Sequence, residues 1–332
     1  MAEKIRWGIL STGNIATQFA TALQGERDAQ IVAVGSRSQD SADAFGDKFN
    51  IPNRHASYES LANDPEVDVI YIGTPHPMHN DNSLLCINAG KAVICEKPFT
   101  LNATEAKTII DAARAKNVFL MEAMWTRFTP AMVKIRALLQ DGVIGEPRLL
   151  RADFGFRAPY DPKNRLFNPA LGGGALLDVG IYTVSLAWML FGKPTEMHST
   201  AHLGETGVDE QTAMILRYDN GALASLTCAT RTDTHTDAMI FGTDGVIRIP
   251  HPWWQPQTFI VEHADANKTS TESFEMVFDA NGYEYQAREV MRCLREGNKE
   301  SSIMPLDETL AIMTTLDGLR AEWGLVYPGE AT

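Results

Sequence analysis

The sequence predicts an α/β domain with a Rossmann-type, doubly wound parallel sheet over residues 1–122. It predicts a second, α+β domain with a large, mostly antiparallel open sheet over residues 123–332. Up to about residue 122, short continuous apolar runs alternate with helix-like segments, which is typical of parallel strands buried on both faces. Beyond that point the apolar segments lengthen, alternate with polar residues and become rich in Thr. A chain of 332 residues is also long enough for two separate cores.

The individual elements follow from the same patterns. Strands of the first domain are predicted at KIRWGIL, QIVAVGSR, VDVIYIGT, AVICEKP and VFLMEAM, separated by helices over 14–24, 39–49, 78–89 and 103–115. A further helix is predicted at about 130–140. In the second domain, Asn220-Gly221 and Asp244-Gly245 carry the signals of tight hairpins. A final helix is predicted over 306–323, where Asp and Glu occupy the first turn.

Composition restricts the partners that we expect. The net charge of −13 argues against nucleic acid and anionic membrane surfaces, which are bound through clustered Lys and Arg. No apolar run approaches the roughly 20 residues of a membrane span. We therefore expect a small-molecule partner, with no nucleic acid and no membrane.

The four cysteines and the N-terminus indicate a cellular compartment. Cys86, Cys95, Cys228 and Cys293 are scattered, without the C-x-x-C spacing or paired histidines of a zinc site, so we expect reduced thiols and no metal. The chain enters an apolar segment by residue 5, which leaves no room for a signal peptide. A cytoplasmic protein is expected.

A glycine turn, GILSTGNIA, follows the first predicted strand and precedes a helix. Ser11, Gly13 and Ala16 occupy the three positions of the G-x-G-x-x-G/A dinucleotide fingerprint, with Ser11 departing from it. A turn that merely starts a helix is the alternative interpretation. The candidate cofactor ligands in this turn are Ser11, Thr12, Gly13, Asn14 and Ile15.

The end of the second strand indicates which cofactor binds. An NAD site usually places an acid there, whereas this chain has Ser36, Arg37 and Ser38, a guanidinium between two hydroxyls that suits a 2′-phosphate. We therefore predict NADP, with NAD as a weaker alternative because Asp40 follows closely. A solvated turn that caps the next helix would explain the serines but gives no reason for Arg37.

Three further stretches carry candidate reactive groups. VICEKPFTL ends an apolar strand with Glu96 and Lys97, at the sheet edge where open α/β proteins bind ligands. YIGTPHPMH ends the fourth strand with a rigid loop whose candidate cofactor residues are Thr74, Pro75, His76 and His79. A glycine run then leads into a helix that places Asp178 and Tyr182 four residues apart on one face. Ordinary surface or core roles are the alternatives for Lys97 and Tyr182.

Together these motifs resemble the glucose–fructose oxidoreductase, inositol dehydrogenase and rhizopine-catabolism family of NAD(P)-dependent oxidoreductases. The resemblance rests on STGNIA, GTPHPMH, EKP and the D-x-x-x-Y of Asp178 and Tyr182, and it runs from residue 5 to beyond 320. Within the family, CEKPFTLNATEAK, MEAMWTRF and GGGALLDVGIYTV are most similar to the branch of dimeric dihydrodiol dehydrogenase and NADP-dependent D-xylose dehydrogenase.

The resemblance implies that Lys97 and Tyr182 form the catalytic pair, with Asp178 beside them. Hydride transfer from a carbinol requires removal of its hydroxyl proton, which a phenol with an ordinary pKa of about 10 does poorly at neutral pH. A nearby ammonium favours the phenolate and donates to the developing alkoxide. Many relatives carry His in place of Tyr182, which argues against inositol and glucose as substrates.

The expected substrate is an aldose, a cyclic polyol or a trans-dihydrodiol. Aromatic faces pack against the C–H faces of such rings. By resemblance, Trp125 and Phe154 line the pocket, and Arg127, Arg157, Asp178 and Tyr182 are further candidates for substrate binding; Trp253 and Trp254 also follow a proline in this half. Relatives pair their C-terminal sheets across a two-fold axis, so a homodimer, or a tetramer, is implied. The rival functions are a non-catalytic NADP sensor and a glycosidase that uses the cofactor transiently.

Overall fold

The computed structural model describes residues 3–265 and 268–330. The strands of the first sheet are β1 (Ile5–Leu10), β2 (Ala29–Gly35), β3 (Asn53–His55), β4 (Val69–Ile72), β5 (Ala92–Glu96) and β6 (Leu120–Ala123). The helices between them are α1 (Asn14–Gln24), α2 (Gln39–Phe49), α3 (Tyr58–Ala62), α4 (His79–Asn88) and α5 (Ala103–Lys116). All six strands are parallel, in the order β3-β2-β1-β4-β5-β6. The predicted doubly wound sheet is confirmed, and its strand order reverses between β1 and β4.

The strands and helices predicted for this sheet agree closely with the structure, but β3 and α3 were not predicted. β3 has three residues, all half-buried, so it lacks the continuous apolar run by which the other strands are recognised. Phe19 of α1 stacks on Tyr71 of β4 with ring centroids 3.8 Å apart, and Trp7 of β1 packs against Phe19 at 5.4 Å. These rings form the core directly under the glycine turn.

The second sheet has eight strands, in the order β14-β13-β12-β11-β7-β10-β9-β8. They are β7 (Pro147–Gly155), β8 (Glu196–Leu203), β9 (Asp209–Arg217), β10 (Leu223–Ala229), β11 (Ala238–Gly242), β12 (Gly245–Ile249), β13 (Thr258–Asp265) and β14 (Lys268–Glu275). Four further helices follow in the chain, namely α6 (Pro130–Gln140), α7 (Ile181–Phe191), α8 (Glu284–Glu296) and α9 (Leu306–Trp323). Every pair of strands is antiparallel except β7 with β10. The predicted mostly antiparallel sheet and both hairpins are confirmed.

The chain forms two compact units that are not continuous in sequence. The first unit runs to Phe128 and resumes over Asp279–Leu310, and the second comprises Thr129–Phe278 and begins again at Ala311. The predicted boundary between residues 122 and 123 assigns all later residues to the second domain. The structure instead groups Asp279–Leu310 with the first unit. Arg288 of α8 donates to both carboxylate oxygens of Glu26, at 3.0 and 2.7 Å, which fastens the returning segment to the end of α1.

The segment Pro169–Phe191 differs from two expectations. Its 23 residues are long and apolar enough, by length and composition, to cross a membrane. This differs from the expectation that no apolar run approaches the length of a membrane span. However, 83% of its apolar window is buried inside the protein, as is typical of a core helix of a soluble protein. Leu176–Gly180 forms a π-helical turn before α7, so Asp178 lies in that turn and Tyr182 in the α-helix. Such π turns are frequent at functional sites.

Asp209, at the start of β9, holds the entrance of this helical segment. Its Oδ2 accepts hydrogen bonds from the Leu176 N–H at 2.7 Å and the Thr212 hydroxyl at 3.2 Å. A Cβ at Gly174, which has a φ of +122°, would lie 2.2 Å from Asp209 Oδ1, so only glycine fits there. Burial raises the pKa of Asp209 to about 7, against these hydrogen bonds and the charge of Arg320, which lower it.

We predict that Asp209→Asn weakens the pH dependence of stability. The native carboxyl keeps its proton at pH values where the unfolded chain has lost it, so wild-type stability decreases as the pH rises from about 4 to 7. Asn retains an oxygen for the Leu176 N–H but does not titrate. Relative to wild type, the variant should therefore gain up to about 4 kcal/mol between pH 4 and pH 8, at about 1.4 kcal/mol per pKa unit.

Thermal unfolding midpoints at several pH values between 4 and 8 measure this effect. Asp219→Asn is the matched control, because Asp219 is exposed in the β9–β10 hairpin. A constant difference between Asp209→Asn and wild type over this range would contradict the prediction.

Candidate active site

The glycine turn leaves the first turn of α1 open to a ligand. Gly13 caps α1 without a side-chain hydrogen bond, whereas Ser38 and Asn102 cap α2 and α5 through their side chains. A Cβ at Gly13 would meet only Ser11 Oγ, at 3.5 Å, within 4 Å among the described residues. The protein itself therefore does not require glycine there, but a pyrophosphate that contacts the backbone would. The turn fits a dinucleotide.

Ser11 replaces the first glycine of the fingerprint at a backbone conformation that glycine favours. Its φ is +117°, which L residues rarely adopt. The Ser11 N–H donates to the Gly35 carbonyl at 3.1 Å, and its Oγ accepts from the Gly13 N–H at 3.2 Å. These two contacts hold the turn in place despite the unfavourable φ.

The structure places Arg37 on the surface after β2. Burial raises the pKa of Tyr58, while the charge of Arg37 and a hydrogen bond from its guanidinium to the Tyr58 hydroxyl lower it. Ser36 is buried, and its N–H donates to the His55 carbonyl at 3.0 Å. Ser38 caps α2, as the alternative interpretation of this turn supposes. Among Ser36, Arg37 and Ser38, Arg37 therefore has the exposed, positively charged side chain that a phosphate could bind.

The loop after β4 is joined to the segment that carries Lys97 by His79. This ring is fully buried, with Nδ1 2.9 Å from the Pro98 carbonyl oxygen and Nε2 2.8 Å from the Thr74 carbonyl oxygen. Burial lowers the pKa of His79, and the charge of Lys97 lowers it further, against the hydrogen bonds to carbonyl oxygens that raise it. His79 therefore has a positioning role. Pro75 is exposed and His76 is half-buried beside it.

Glu96 and Lys97 end β5 in different surroundings. Glu96 is buried and accepts a hydrogen bond from the Tyr71 hydroxyl at 2.7 Å, while Lys97 is half-buried. Burial raises the pKa of Glu96 to about 7, against the Tyr71 hydrogen bond and the charge of Lys97. Glu96 is thus held by the core under the glycine turn, and the adjacent Lys97 is the cation at this end of β5.

Two residues after β6, Trp125 and Arg127, are buried and have partners within the first unit. Arg127 is 3% exposed, and its Nη1 lies 2.6 Å from Glu308 Oε1, so a substrate carboxylate would have to replace this ion pair. Trp125 is also buried and stacks on Tyr283 with centroids 4.5 Å apart. Trp125 thus contacts the residue that precedes α8, and Arg127 contacts the start of α9. The predicted contact of both residues with the substrate stays a prediction.

Glu122, at the end of β6, is a second buried carboxyl in this unit. Its Oε2 accepts a hydrogen bond from the Thr309 hydroxyl at 3.0 Å. Burial raises the pKa of Glu122 to about 7, despite this hydrogen bond and the charge of Arg127.

In the second unit, Asp178 is paired with an arginine that the sequence analysis did not identify. Arg165 Nη1 donates to Asp178 Oδ1 at 2.7 Å; the side chain of Asp178 is 8% exposed and that of Arg165 is 53% exposed. No local motif signals this contact, because Arg165 lies in an irregular segment before the glycine run. Asp209 and Glu122 were missed for a related reason, since nothing in the sequence shows that they are buried.

Tyr182 contacts an aromatic ring that stacks on a second one. The ring of Phe154 lies 5.4 Å from that of Tyr182 and stacks on Trp254 at 3.8 Å. Tyr182 and Phe154 are buried, while Trp254 is half-buried. Trp253 is fully buried and donates from its indole N–H to the Asp153 carbonyl at 2.7 Å, so it is a core residue. Arg157 is exposed.

The four cysteines lie in the core. Cys86, Cys95, Cys228 and Cys293 are all buried and free. Within residues 3–265 and 268–330, no group of three or more His, Cys, Asp and Glu side chains is arranged to hold a metal ion.

Two family models match the chain. Residues 5–124 match the oxidoreductase family with an NAD-binding Rossmann fold, and residues 132–248 match the GFO/IDH/MocA C-terminal domain. Solved structures show the same fold. Levoglucosan dehydrogenase in complex with NADH and levoglucosan has a TM-score of 0.87 at 20% identity, covering 97% of this chain and 98% of that one. The 3-ketoreductase KijD10 from Actinomadura kijaniata, solved with NADP and TDP-benzene, has a TM-score of 0.85 at 23% identity, covering 96% and 98%.

Sequence relatives extend over nearly the whole chain. Trans-1,2-dihydrobenzene-1,2-diol dehydrogenase from Mus musculus is 40% identical over 332 residues, which are 98% of this chain and 99% of the relative. The enzyme of that name from Xenopus laevis is 40% identical over 329 residues, 97% of this chain and 99% of the relative. This chain therefore belongs to the Gfo/Idh/MocA family of NAD(P)-dependent oxidoreductases and is an enzyme of the dehydrogenase type.

Proposed function

We propose that this protein is an NADP-dependent dehydrogenase that reversibly oxidises a carbinol of an aldose, a cyclic polyol or a trans-dihydrodiol. The observation that carries the proposal is the buried Tyr182, which has Phe154 beside it and Asp178 in the preceding turn. Trp254 stacks on Phe154. This combination offers a proton acceptor, apolar surface for a carbon ring, and a carboxylate for hydroxyl groups. The names of the relatives from mouse and Xenopus laevis support a diol as substrate.

In the proposed mechanism, Tyr182 is the general acid/base and Lys97 assists it. Tyr182, as phenolate, takes the proton of the reacting hydroxyl, and the same oxygen returns it in the reverse direction. The ammonium of Lys97 favours the phenolate and stabilises the negative charge that develops on the substrate oxygen. Bound NADP supplies the hydride acceptor. Asp178 accepts a hydrogen bond from a substrate hydroxyl, and Phe154 and Trp254 keep water from that side of the ring.

An assay of NADP reduction by a panel of pentoses, hexoses, inositols and cyclic diols tests the function and the pair together. Wild type should reduce NADP with at least one class. Lys97→Met should lower kcat at least about 100-fold, a barrier change of about 2.7 kcal/mol, and shift the rise of the rate profile to higher pH. Tyr182→Phe should cost a similar factor. The double variant should be little worse than either single variant, since groups that act as a unit are not additive.

The controls for this prediction concern binding and charge. NADP affinity should change much less than kcat in all three variants, and Lys107→Met, which removes an exposed lysine of α5, should behave as wild type. A loss below about tenfold for Lys97→Met, or full additivity of the two losses, contradicts the pair. Ligand binding without net reduction of NADP by any compound contradicts the dehydrogenase and favours a sensor.

Arg37 supports NADP over NAD in this proposal, because an exposed guanidinium suits the 2′-phosphate. Arg37→Asp should weaken NADP binding far more than NAD binding, since it removes the cation and adds a charge of the same sign as the phosphate. Cofactor titrations of wild type and variant, followed by fluorescence, measure both affinities. Arg27→Asp is the matched control, as it makes the same charge change at another exposed position of this unit. Equal losses for the two cofactors would contradict this assignment.

We also propose that the protein is a homodimer formed through the outer face of the second sheet. Along β9, Ala213, Ile215 and Arg217 are exposed while the alternate residues are buried. Ile215 is 44% exposed, and Leu223 of β10 is 41% exposed on the adjacent strand. An apolar patch on an open sheet is typical of an interface.

Light scattering at micromolar concentration should give a mass of twice 36.6 kDa. The double variant Ile215→Glu, Leu223→Glu should be a monomer, because it places charges on this face. Val277→Glu, at a residue that is 65% exposed outside the sheet, is the control and should remain dimeric. A monomeric wild type would refute the dimer.

The free, buried cysteines support a reducing compartment, and we propose that the protein is cytoplasmic.

A further inference from the structure

Arg165 is placed beside Asp178 by a hydrogen-bonded segment of backbone. The N–H of Gly174 donates to the Leu166 carbonyl at 2.9 Å, and the Gly173 N–H donates to the Asn168 carbonyl at 3.0 Å. A Cβ at Gly173 would lie 2.9 Å from the Arg165 carbonyl oxygen, so the two stretches are in close contact. The position of the Arg165 backbone is therefore set by the same glycine run that starts the segment of Asp178 and Tyr182.

The guanidinium of Arg165 uses little of its hydrogen-bonding capacity. It donates from Nη1 to Asp178 Oδ1, and it makes no further hydrogen bond or ion pair among the residues that the structure describes. A guanidinium has five N–H donors, and a carboxylate accepts about four hydrogen bonds. With 53% of its side chain exposed, Arg165 can offer its remaining donors to a ligand at Asp178.

A pair of this kind is complementary to a hydroxyl group. A hydroxyl donates one hydrogen bond and accepts up to two, so it can donate to Asp178 and accept from Arg165 at the same time. Asp178 lies four residues before Tyr182, a spacing at which side chains on a helical segment are neighbours. A substrate whose carbinol reaches Tyr182 thus brings its adjacent hydroxyl toward Asp178 and Arg165.

We propose that Arg165 is a specificity-determining residue: with Asp178, it binds the hydroxyl adjacent to the reacting carbinol and so selects vicinal diols over simple alcohols. The inference rests on the proposed function, since it assigns the reacting carbinol to Tyr182. The alternative is that the pair only holds the π-helical turn in place.

Matched substrates that differ by one hydroxyl test this inference. The pairs are trans-1,2-cyclohexanediol with cyclohexanol and D-glucose with 2-deoxy-D-glucose. Wild type should show a higher kcat/KM for the vicinal diol of at least one pair. Arg165→Met should lower that kcat/KM about 10- to 100-fold and leave the value for the analogue within about twofold, as expected for the loss of a hydrogen bond to a charged group. Arg165→Lys should restore part of the discrimination.

The control is Arg114→Met, which removes another exposed arginine paired with a carboxylate, that of Asp307. It should leave the ratio of the two kcat/KM values unchanged, and NADP affinity should be equal in all variants. A wild-type ratio in Arg165→Met, or equal losses for both compounds together with a lower melting temperature, overturns the inference and leaves the proposed function intact. A wild type that reduces NADP with no compound of the panel overturns both.

Discussion

A buried carboxyl is tolerated in a protein only where hydrogen bonds replace the water that it loses, and this constraint applies at two places in the first unit and one in the second. Glu96 meets the Tyr71 hydroxyl, Glu122 meets the Thr309 hydroxyl, and Asp209 meets the Leu176 N–H and the Thr212 hydroxyl. In each case burial raises the pKa to about 7 in spite of these partners. The desolvation cost is therefore only partly offset. The local backbone must keep its geometry, because any movement would remove a partner and leave the cost larger.

Two of the side chains in the proposed function, Lys97 and Asp178, lie within two residues of a group that this constraint holds in place. Lys97 follows Glu96, whose hydrogen bond to Tyr71 connects it with the stacked rings of the first core. Asp178 follows Leu176, whose N–H is fixed by Asp209. Lys97 is half-buried, whereas Tyr182 and Asp178 are buried like the three carboxyls. Hydrogen bonds that fix the neighbouring backbone favour preorganised contacts at these side chains.

The sequence predicts most of the fold because its two periodicities are strong. Continuous apolar runs identify β1, β2, β4, β5 and β6, and the Asn-Gly and Asp-Gly turns identify two hairpins. It fails where the determining contact is distant: α8 returns to the first unit, where Arg288 pairs with Glu26, and no local pattern indicates this return. Arg165 shows the same limitation. Its partner, Asp178, is 13 residues away in the sequence, and no spacing rule predicts a contact over that separation. The contact forms only because the loop of Arg165 packs against the glycine run.

The partial exposure of the Arg165–Asp178 pair matters for binding as well as for stability. A fully buried pair would have lost its water on folding, and breaking it for a substrate would leave a charge without a partner, at a cost of several kcal/mol. Arg165 is instead 53% exposed, so its charge remains hydrated. A substrate hydroxyl that accepts a hydrogen bond from Arg165 therefore replaces water on the guanidinium. The net gain comes from hydrogen bonds to two charged groups whose positions are already set by the glycine run, which is how preorganisation turns a weak ion pair into a selective binding element.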